Sequence, residues 1–406
     1  MSASALPNRT RPASRKKVAL LGSVVFTHSH TQHFLDRLAM GYSWKGCWQE
    51  PRVDLASVWI DQYPDNDIGK ERLARYGFEA SASIEDALTV GTGKLAVDGV
   101  VIICEHGDYP DNAMGQRLYP RYEWFKEVVR VFEKYGRSVP VFNDKHLATT
   151  WDQSLEMVQD SRRLGFAFLA GSSLPVTRRL PAIELPLDTP LRESVCVAYG
   201  NVDSYDFHAI ETAQCMSERR LGGESGIRNC RALKGAAMWE YLDSDHCADT
   251  RTLVVAALNR SHNLPVETGY MTGKVTYPWA RAAFPDAIGY FYEHLDGFRT
   301  STFLVPIRDF NYAGMRADNG QVVSCQMYLP MPTHGSSTAD FFNPLTRHIE
   351  DLVIHRRTNF PIERTLLTSG MTAAAVESLH RGGELLETPG MNVGYQAPRR
   401  STYWRE

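Results

Sequence analysis

Val139-Pro140-Val141-Phe142-Asn143-Asp144-Lys145-His146-Leu147 decides how the first half of this sequence is read. Val139 to Phe142 are apolar β-formers, as in a strand buried on both faces of a parallel sheet. Asp144, Lys145 and His146 then stand at its carboxyl end, where open α/β sheets place their ligands. A helix-period run follows, through Trp151, Leu155, Met157, Val158 and Leu164. A cation at that edge serves as an acid, a charge clamp or a base. A surface triplet after a strand is the plain alternative.

Working outward, strands and helices alternate. Val18 to Phe26, Val53 to Ile60, Val97 to Cys104 and Phe166 to Ala170 read as further strands. Between them, Thr31 to Met40, Ile68 to Tyr76, Ile84 to Val90 and Tyr122 to Tyr135 read as helices. Ser83 and Gly77 are the capping residues. Repeated βα units of this kind make a parallel, doubly wound sheet. After Pro175 the texture changes. Strand-like runs dominate (Ser194 to Tyr199, Ile288 to His294, Phe298 to Ile307, Gln321 to Leu329), with an early helix, Asp206 to Arg219, and a late one, Thr372 to His380. The fold class is therefore α/β: an N-terminal Rossmann-like parallel sheet, then an α+β domain with a largely antiparallel sheet. The expected boundaries are a disordered basic tail over 1–17, the first domain over 18–175, and a substrate and oligomerisation domain over 176–406. An exposed face of the second sheet would offer a homo-oligomer its contact.

Composition narrows the function. Across 406 residues, 43% apolar and 22% charged side chains with a net charge of -3 describe an ordinary globular chain. They point to a small-molecule substrate and give no sign of a nucleic-acid or membrane partner. Seven cysteines without CxxC spacing speak against structural zinc and disulfides, and for a reducing, cytoplasmic compartment.

Four segments together resemble the Gfo/Idh/MocA oxidoreductases. They are Val18-Ala19-Leu20-Leu21-Gly22 with Asp61 ending the next strand, Val97 to Cys104, Asp144-Lys145-His146-Leu147 in place of the family's Glu-Lys-Pro, and Asp203 to Glu211. The resemblance implies a NAD- or NADP-dependent oxidoreductase acting on a sugar, polyol or related hydroxy compound by hydride transfer. It makes Lys145 and His208 the catalytic pair, with Asp203 or Asp206 orienting the histidine, since Ser204 holds the family's aspartate position. It places the cofactor on Gly22, Ser23, Asp61, Glu105 and His106.

The residues also keep a second reading open. Val24 and Thr27 stand where a dinucleotide fingerprint has its second and third glycines, and branched Val24 and Val25 are expected to crowd a pyrophosphate. Histidines and carboxylates meanwhile gather at predicted strand ends, and His30, Glu105 and His106 are the candidate ligands of a divalent metal. The alternative is a dinucleotide-independent, metal-assisted lyase, epimerase or hydrolase of a carbohydrate-like substrate. In either case a nearby cation and partial burial are expected to lower the pKa of both Lys145 and His208 toward neutrality. Two stretches complete the set: Ala170 to Arg179, whose hydroxyls and two arginines suit a polar or acidic substrate, and the long insert from Tyr109 to Tyr122.

Overall fold

A computed structural model of the chain describes residues 15–265, 275–330 and 338–405. Of the basic stretch 1–17, residues 1–14 lie outside the described residues. The chain then runs through β1 (Lys17–Gly22), α1 (His30–Met40), a short hairpin of β2 (Tyr42–Trp44) and β3 (Cys47–Gln49), and β4 (Asp54–Ile60). α2 (Gly69–Tyr76), α3 (Ile84–Thr89), β5 (Gly99–Ile103), α4 (Arg121–Tyr135), β6 (Val141–Asp144), α5 (Trp151–Arg163) and β7 (Phe168–Gly171) follow. The five longer strands form one parallel sheet in the order β4-β1-β5-β6-β7. Every residue of β5 is buried, because helices cover both faces. A parallel bridge from Val58 to Ala80 extends the sheet beyond β4. The strand order turns back at β1, so a switch-point crevice opens between the carboxyl ends of β1 and β5.

The second half holds β8 (Arg179–Leu180), β9 (Leu191–Tyr199), α6 (Asp206–Ser217), β10 (Ile227–Lys234), α7 (Ala236–Asp243), α8 (Ala248–Leu258) and α9 (Tyr277–Ala283). It continues with β11 (Ile288–His294), β12 (Arg299–Val305), β13 (Phe310–Arg316), β14 (Val322–Met327), α10 (Asn343–His355), α11 (Ile362–His380) and β15 (Leu386–Glu387). The sheet order is β15-β10-β11-β12-β9-β13-β14-β8, antiparallel except for the parallel pair β12 and β9. Side chains alternate across β9. Cys196 and Ala198 join the core that holds α6, while Val195 and Val197 join the one that holds α7, α8 and α9. The expected exposed sheet face is therefore covered by those three helices. α6 sits between layers, and each of its twelve residues is buried.

The last two helices return to the first sheet. α11 packs on α6 and β10 and also on α5 and β7. It starts ten residues before the expected Thr372, because Pro361 delivers the chain to its first turn. α10 lies against α1, and its Val353 meets β5 at Gly99, where an added Cβ would come within 2.5 Å of Val353 Cγ2. Gly99→Ala is expected to destabilise the protein by about 1–3 kcal/mol, the usual cost of overpacking. Val353→Ala in the same chain should return part of that loss in urea unfolding, and additive losses would show that the two residues are not in contact.

Candidate active site at the carboxyl edge of the parallel sheet

β6 ends at Asp144, and Lys145 turns the chain with φ +62°, held by its N–H to Gly171 O of β7 at 3.2 Å. Left-handed backbone is costly for a side chain such as lysine, on the order of 1–3 kcal/mol. His28, His106 and Asp203 share that conformation, with φ of +72°, +68° and +52°. His28 and His106 lie in the loops leaving β1 and β5, and Asp203 in the turn before α6.

The turn aims Lys145 inward. Its Nζ donates to Glu105 Oε1 at 2.7 Å, and Arg121 Nη2 donates to Glu105 Oε2 at 2.6 Å. All three are buried. Burial opposes the charge on Glu105, but Lys145 and Arg121 together hold its pKa well below the ordinary carboxylate value. Burial likewise opposes the ammonium, yet Glu105 prevails and the Lys145 pKa is raised. The expected lowering does not occur for this residue, because the nearest charge is a carboxylate rather than a cation. Arg121 Nη1 continues to His146 Nε2 at 3.0 Å, and Asp203 Oδ1 stands 4.0 Å from the same nitrogen.

His208, on the first turn of α6, shares this space. The Tyr205 ring lies 5.7 Å from Lys145 Nζ and 5.7 Å from the His208 ring. Burial first, then Lys145, pushes the His208 pKa well below its usual value, so the imidazole is neutral. Neither expected aspartate orients it. Asp206 accepts from the N–H groups of Asp203, Ser204 and Phe207 and from Tyr290 Oη, as a carboxylate opening its own helix does. Asp203 Oδ2 accepts from Arg117 N at 2.9 Å, and burial with Asp206 nearby lifts its pKa to about 7. His30 does have a carboxylate: its Nδ1 lies 2.6 Å from Asp144 Oδ2.

Glu211, three residues after His208, was not among the expected site residues. Its Oε2 accepts from Ser172 N at 2.8 Å and Ser172 Oγ at 2.5 Å. Its Oε1 lies against Gly171, where a Cβ would come within 2.6 Å. Glu211 Oε1, Asp144 Oδ1 and His208 Nδ1 are buried and lack a hydrogen-bond partner. Native proteins leave few such groups, and each calls for an explanation. The sequence signal for Glu211 was its helical spacing from His208, which puts both on one face.

The other expected residues divide. Ser23 Oγ donates to Glu105 O at 2.6 Å, sewing the turn after β1 to the one after β5. Gly22 leaves no room for a Cβ, which would sit 2.2 Å from Thr31 Cγ2 on α1. Val24 and Val25 are buried, at 1% and 0% exposure, so they turn away from the crevice and do not crowd its turn. Asp61 accepts from Tyr109 Oη at 2.7 Å, which pins the start of the long insert to β4. His106, neutral with its pKa lowered to about 4 by burial, packs edge-on against Phe26 and His30. Arg178 lies over Trp404 and Arg179 over Tyr403, so the two arginines anchor the C-terminal segment and do not serve the site.

The candidate metal set fails. Among the described residues no three His, Cys, Asp or Glu side chains come together to hold an ion, and both Glu105 oxygens are engaged by cations. A dinucleotide fits better. The turn from Gly22 presents backbone together with half-buried Phe26 and exposed Thr27. The N–H groups of Phe26 and His28 are already held by Ser29 Oγ and Gln32 Oε1, so a phosphate there has competitors.

The scaffold is a Rossmann-like parallel sheet followed by a mostly antiparallel one, the fold that the resemblance to the Gfo/Idh/MocA oxidoreductases implied. No family model and no curated protein matches this sequence. Solved structures do match in fold. GenD2 from gentamicin A biosynthesis, in complex with NAD, is 13% identical with a TM-score of 0.57, over 95% of this chain and 99% of that one. Myo-inositol dehydrogenase from Lactobacillus casei, in complex with NAD(H) and myo-inositol, is 11% identical with a TM-score of 0.53, over 92% and 97%. Myo-inositol 2-dehydrogenase from Lactobacillus plantarum is 8% identical with a TM-score of 0.52, over 92% and 99%.

The buried carboxyl of Glu211 makes a pH prediction. Burial raises its pKa from 4.5 to about 7. A carboxyl raised on folding adds stability while protonated, below its unfolded pKa, and loses it as pH rises through the folded one. Wild-type melting temperature should therefore fall between pH 5 and 8 more steeply than that of Glu211→Gln, with the variant the more stable at pH 8. Parallel curves would show that Glu211 is ionised throughout.

Proposed function

We propose that this protein is a nicotinamide-dependent oxidoreductase of a sugar, polyol or related hydroxy compound. The observation that carries the reading is the juxtaposition of a charged Lys145 and a neutral His208 beside the switch-point crevice. The dinucleotide would be held by the turn at Gly22 and Ser23, by Asp61 at the end of β4, and by His106. Bound there, the nicotinamide supplies the acceptor for a hydride from the substrate carbon. The chain's own groups manage the oxygen. Lys145, kept protonated by Glu105, holds the substrate oxygen and offsets the charge that develops on it. His208, kept neutral, receives the hydroxyl proton. Glu105 fixes Lys145 and does not reach for the cofactor, because both of its oxygens are occupied. Asp203 supports His146, and Asp206 positions the helix that carries His208.

The two-domain division near residue 175 and a cytoplasmic location belong to the same proposal. Seven free cysteines, six of them buried, suit a reducing compartment. Among the described residues no helix is long and apolar enough to cross a membrane. A homo-oligomer would have to use a surface other than the covered sheet. Trp48, 63% exposed on the β2–β3 hairpin, and Leu221, 66% exposed, are available for it. Light scattering should return a multiple of 45.7 kDa, and the single-chain mass at micromolar concentration would remove the oligomer from the proposal.

The activity test is NAD and NADP reduction at 340 nm over a panel of sugars and polyols. Lys145→Met and His208→Asn should each lower turnover roughly a hundredfold or more with much smaller changes in KM, the scale of general acid–base catalysis. Full activity in both variants would sink the assignment.

A further inference from the structure

We propose that Tyr109 bars the cofactor crevice by taking the place of a ribose hydroxyl on Asp61. A dinucleotide then enters only by displacing the insert that Tyr109 begins. The proposal rests on the dehydrogenase reading and adds to it how that site is regulated. Asp61 and Gln62 leave β4 beside the turn from Gly22, with Asp61 N bonded to Gly22 O at 3.0 Å and Gln62 N to Ser23 O at 2.9 Å. In folds of this kind an acid so placed receives a ribose hydroxyl of the dinucleotide. Here a phenol holds it: Tyr109 Oη donates to Asp61 Oδ2 at 2.7 Å. A phenol and a ribose hydroxyl offer a carboxylate the same kind of donor, so the two compete.

The contact does not stand alone. Asp108 N donates to Gln62 Oε1 at 2.8 Å, and Gln62 Nε2 donates to Asp108 O at 3.1 Å. β4 and β5 are not neighbours, since β1 lies between them in the sheet. Hydrogen bonds from the loop after β5 to the loop after β4 therefore cross the end of β1. His106 meets Phe26 in the same gap, with ring centroids 5.2 Å apart. The backbone is shaped for this approach: Gly107 has φ +110°, and a Cβ there would come within 2.6 Å of Tyr109 Cε2 and 3.1 Å of Gln62 Oε1. A dinucleotide running from Asp61 toward Lys145 has to pass the same stretch of edge, because the ends of β1 and β5 lie between β4 and β6.

The insert is built to leave as a unit. Asn112 N to Gln116 O at 2.9 Å and Leu118 N to Pro110 O at 2.8 Å join its two limbs, so its shape does not depend on Asp61. Asp61 and Asp108 are exposed, so water takes up the broken bonds at small cost. At its far end Arg117 N donates to Asp203 Oδ2 at 2.9 Å. One segment thus joins the ribose carboxylate to the turn before α6, the helix that carries His208.

The test uses NAD as the probe, on the full chain, and needs no turnover. Tyr109→Phe keeps the ring against Tyr119 and removes only the donor. By calorimetry this variant should bind NAD about three- to tenfold more tightly than wild type, the scale of one hydrogen bond. Gln62→Ala removes the paired bonds to Asp108 and should move the affinity the same way, and it serves if the first variant does not fold. In hydrogen exchange on wild type, saturating NAD should speed exchange across 108–118 roughly threefold or more, where a ligand that merely covers a segment slows it. NAD binding no tighter in either variant than in wild type, or slower exchange in the insert, overturns the inference and leaves the dehydrogenase reading standing. Failure of wild type and both variants to bind NAD or NADP overturns the dehydrogenase reading, and this inference with it.

Discussion

Glu105 shared between Lys145 and Arg121 is the interaction on which this edge of the molecule depends. Three buried charges, two from the turns after β5 and β6 and one from α4, are each costly to take out of water, and they are tolerable because they meet at hydrogen-bonding distance. Removing the carboxylate would leave two buried cations facing one another, a change that in such triads costs roughly 3–5 kcal/mol. The arrangement therefore fixes more than one side chain. Arg121 carries it to His146 and Lys145 to the turn after β6, so the end of that strand is tied electrically to the loop before α6.

The same carboxylate separates the two candidate proton-handling groups. Lys145 is held charged by a partner it cannot leave cheaply, while His208, buried with that cation nearby, is held neutral. The sequence-based expectation treated them alike, as two bases brought toward neutrality. Proximity to Glu105, which lies 40 residues earlier in the chain, is what splits them, and nothing local to Asp144-Lys145-His146 announces it.

Much of the parallel sheet was legible, because strands buried on both faces are written as unbroken apolar runs and the helices between them carry a clear 3.6-residue stripe. Ser83 and Gly77 did cap α3 and α2, with Ser83 Oγ accepting from Asp86 N. The second half was read less completely. β10 interleaves arginine and asparagine with its apolar residues, and α11 is buried on most sides and so shows little of an amphipathic stripe, whereas α6 was read with its start right and its end two residues long. α10 was missed although it is amphipathic; its apolar face is matched to α1, about 300 residues earlier, and to Gly99, about 250 residues before Val353. At the site, the residue types at strand ends were readable, but their pairings were not. Asp206 is spent on backbone N–H groups, Asp203 faces His146, and the carboxylate that does touch an imidazole, Asp144 on His30, joins the end of β6 to the first turn of α1, 114 residues earlier.

The return of α10 and α11 to the first sheet bears on how the chain is made. Val353 and Leu366 belong to the two cores that flank the parallel sheet. A nascent chain that has emerged only as far as β14 thus holds all five parallel strands without the helices that close them. Its apolar surface around Gly99 and β7 stays open until α10 and α11 are synthesised, a window in which such surfaces attract chaperones or one another. For this protein, the first structural layer is completed only by helices that follow its last strand by some 170 residues.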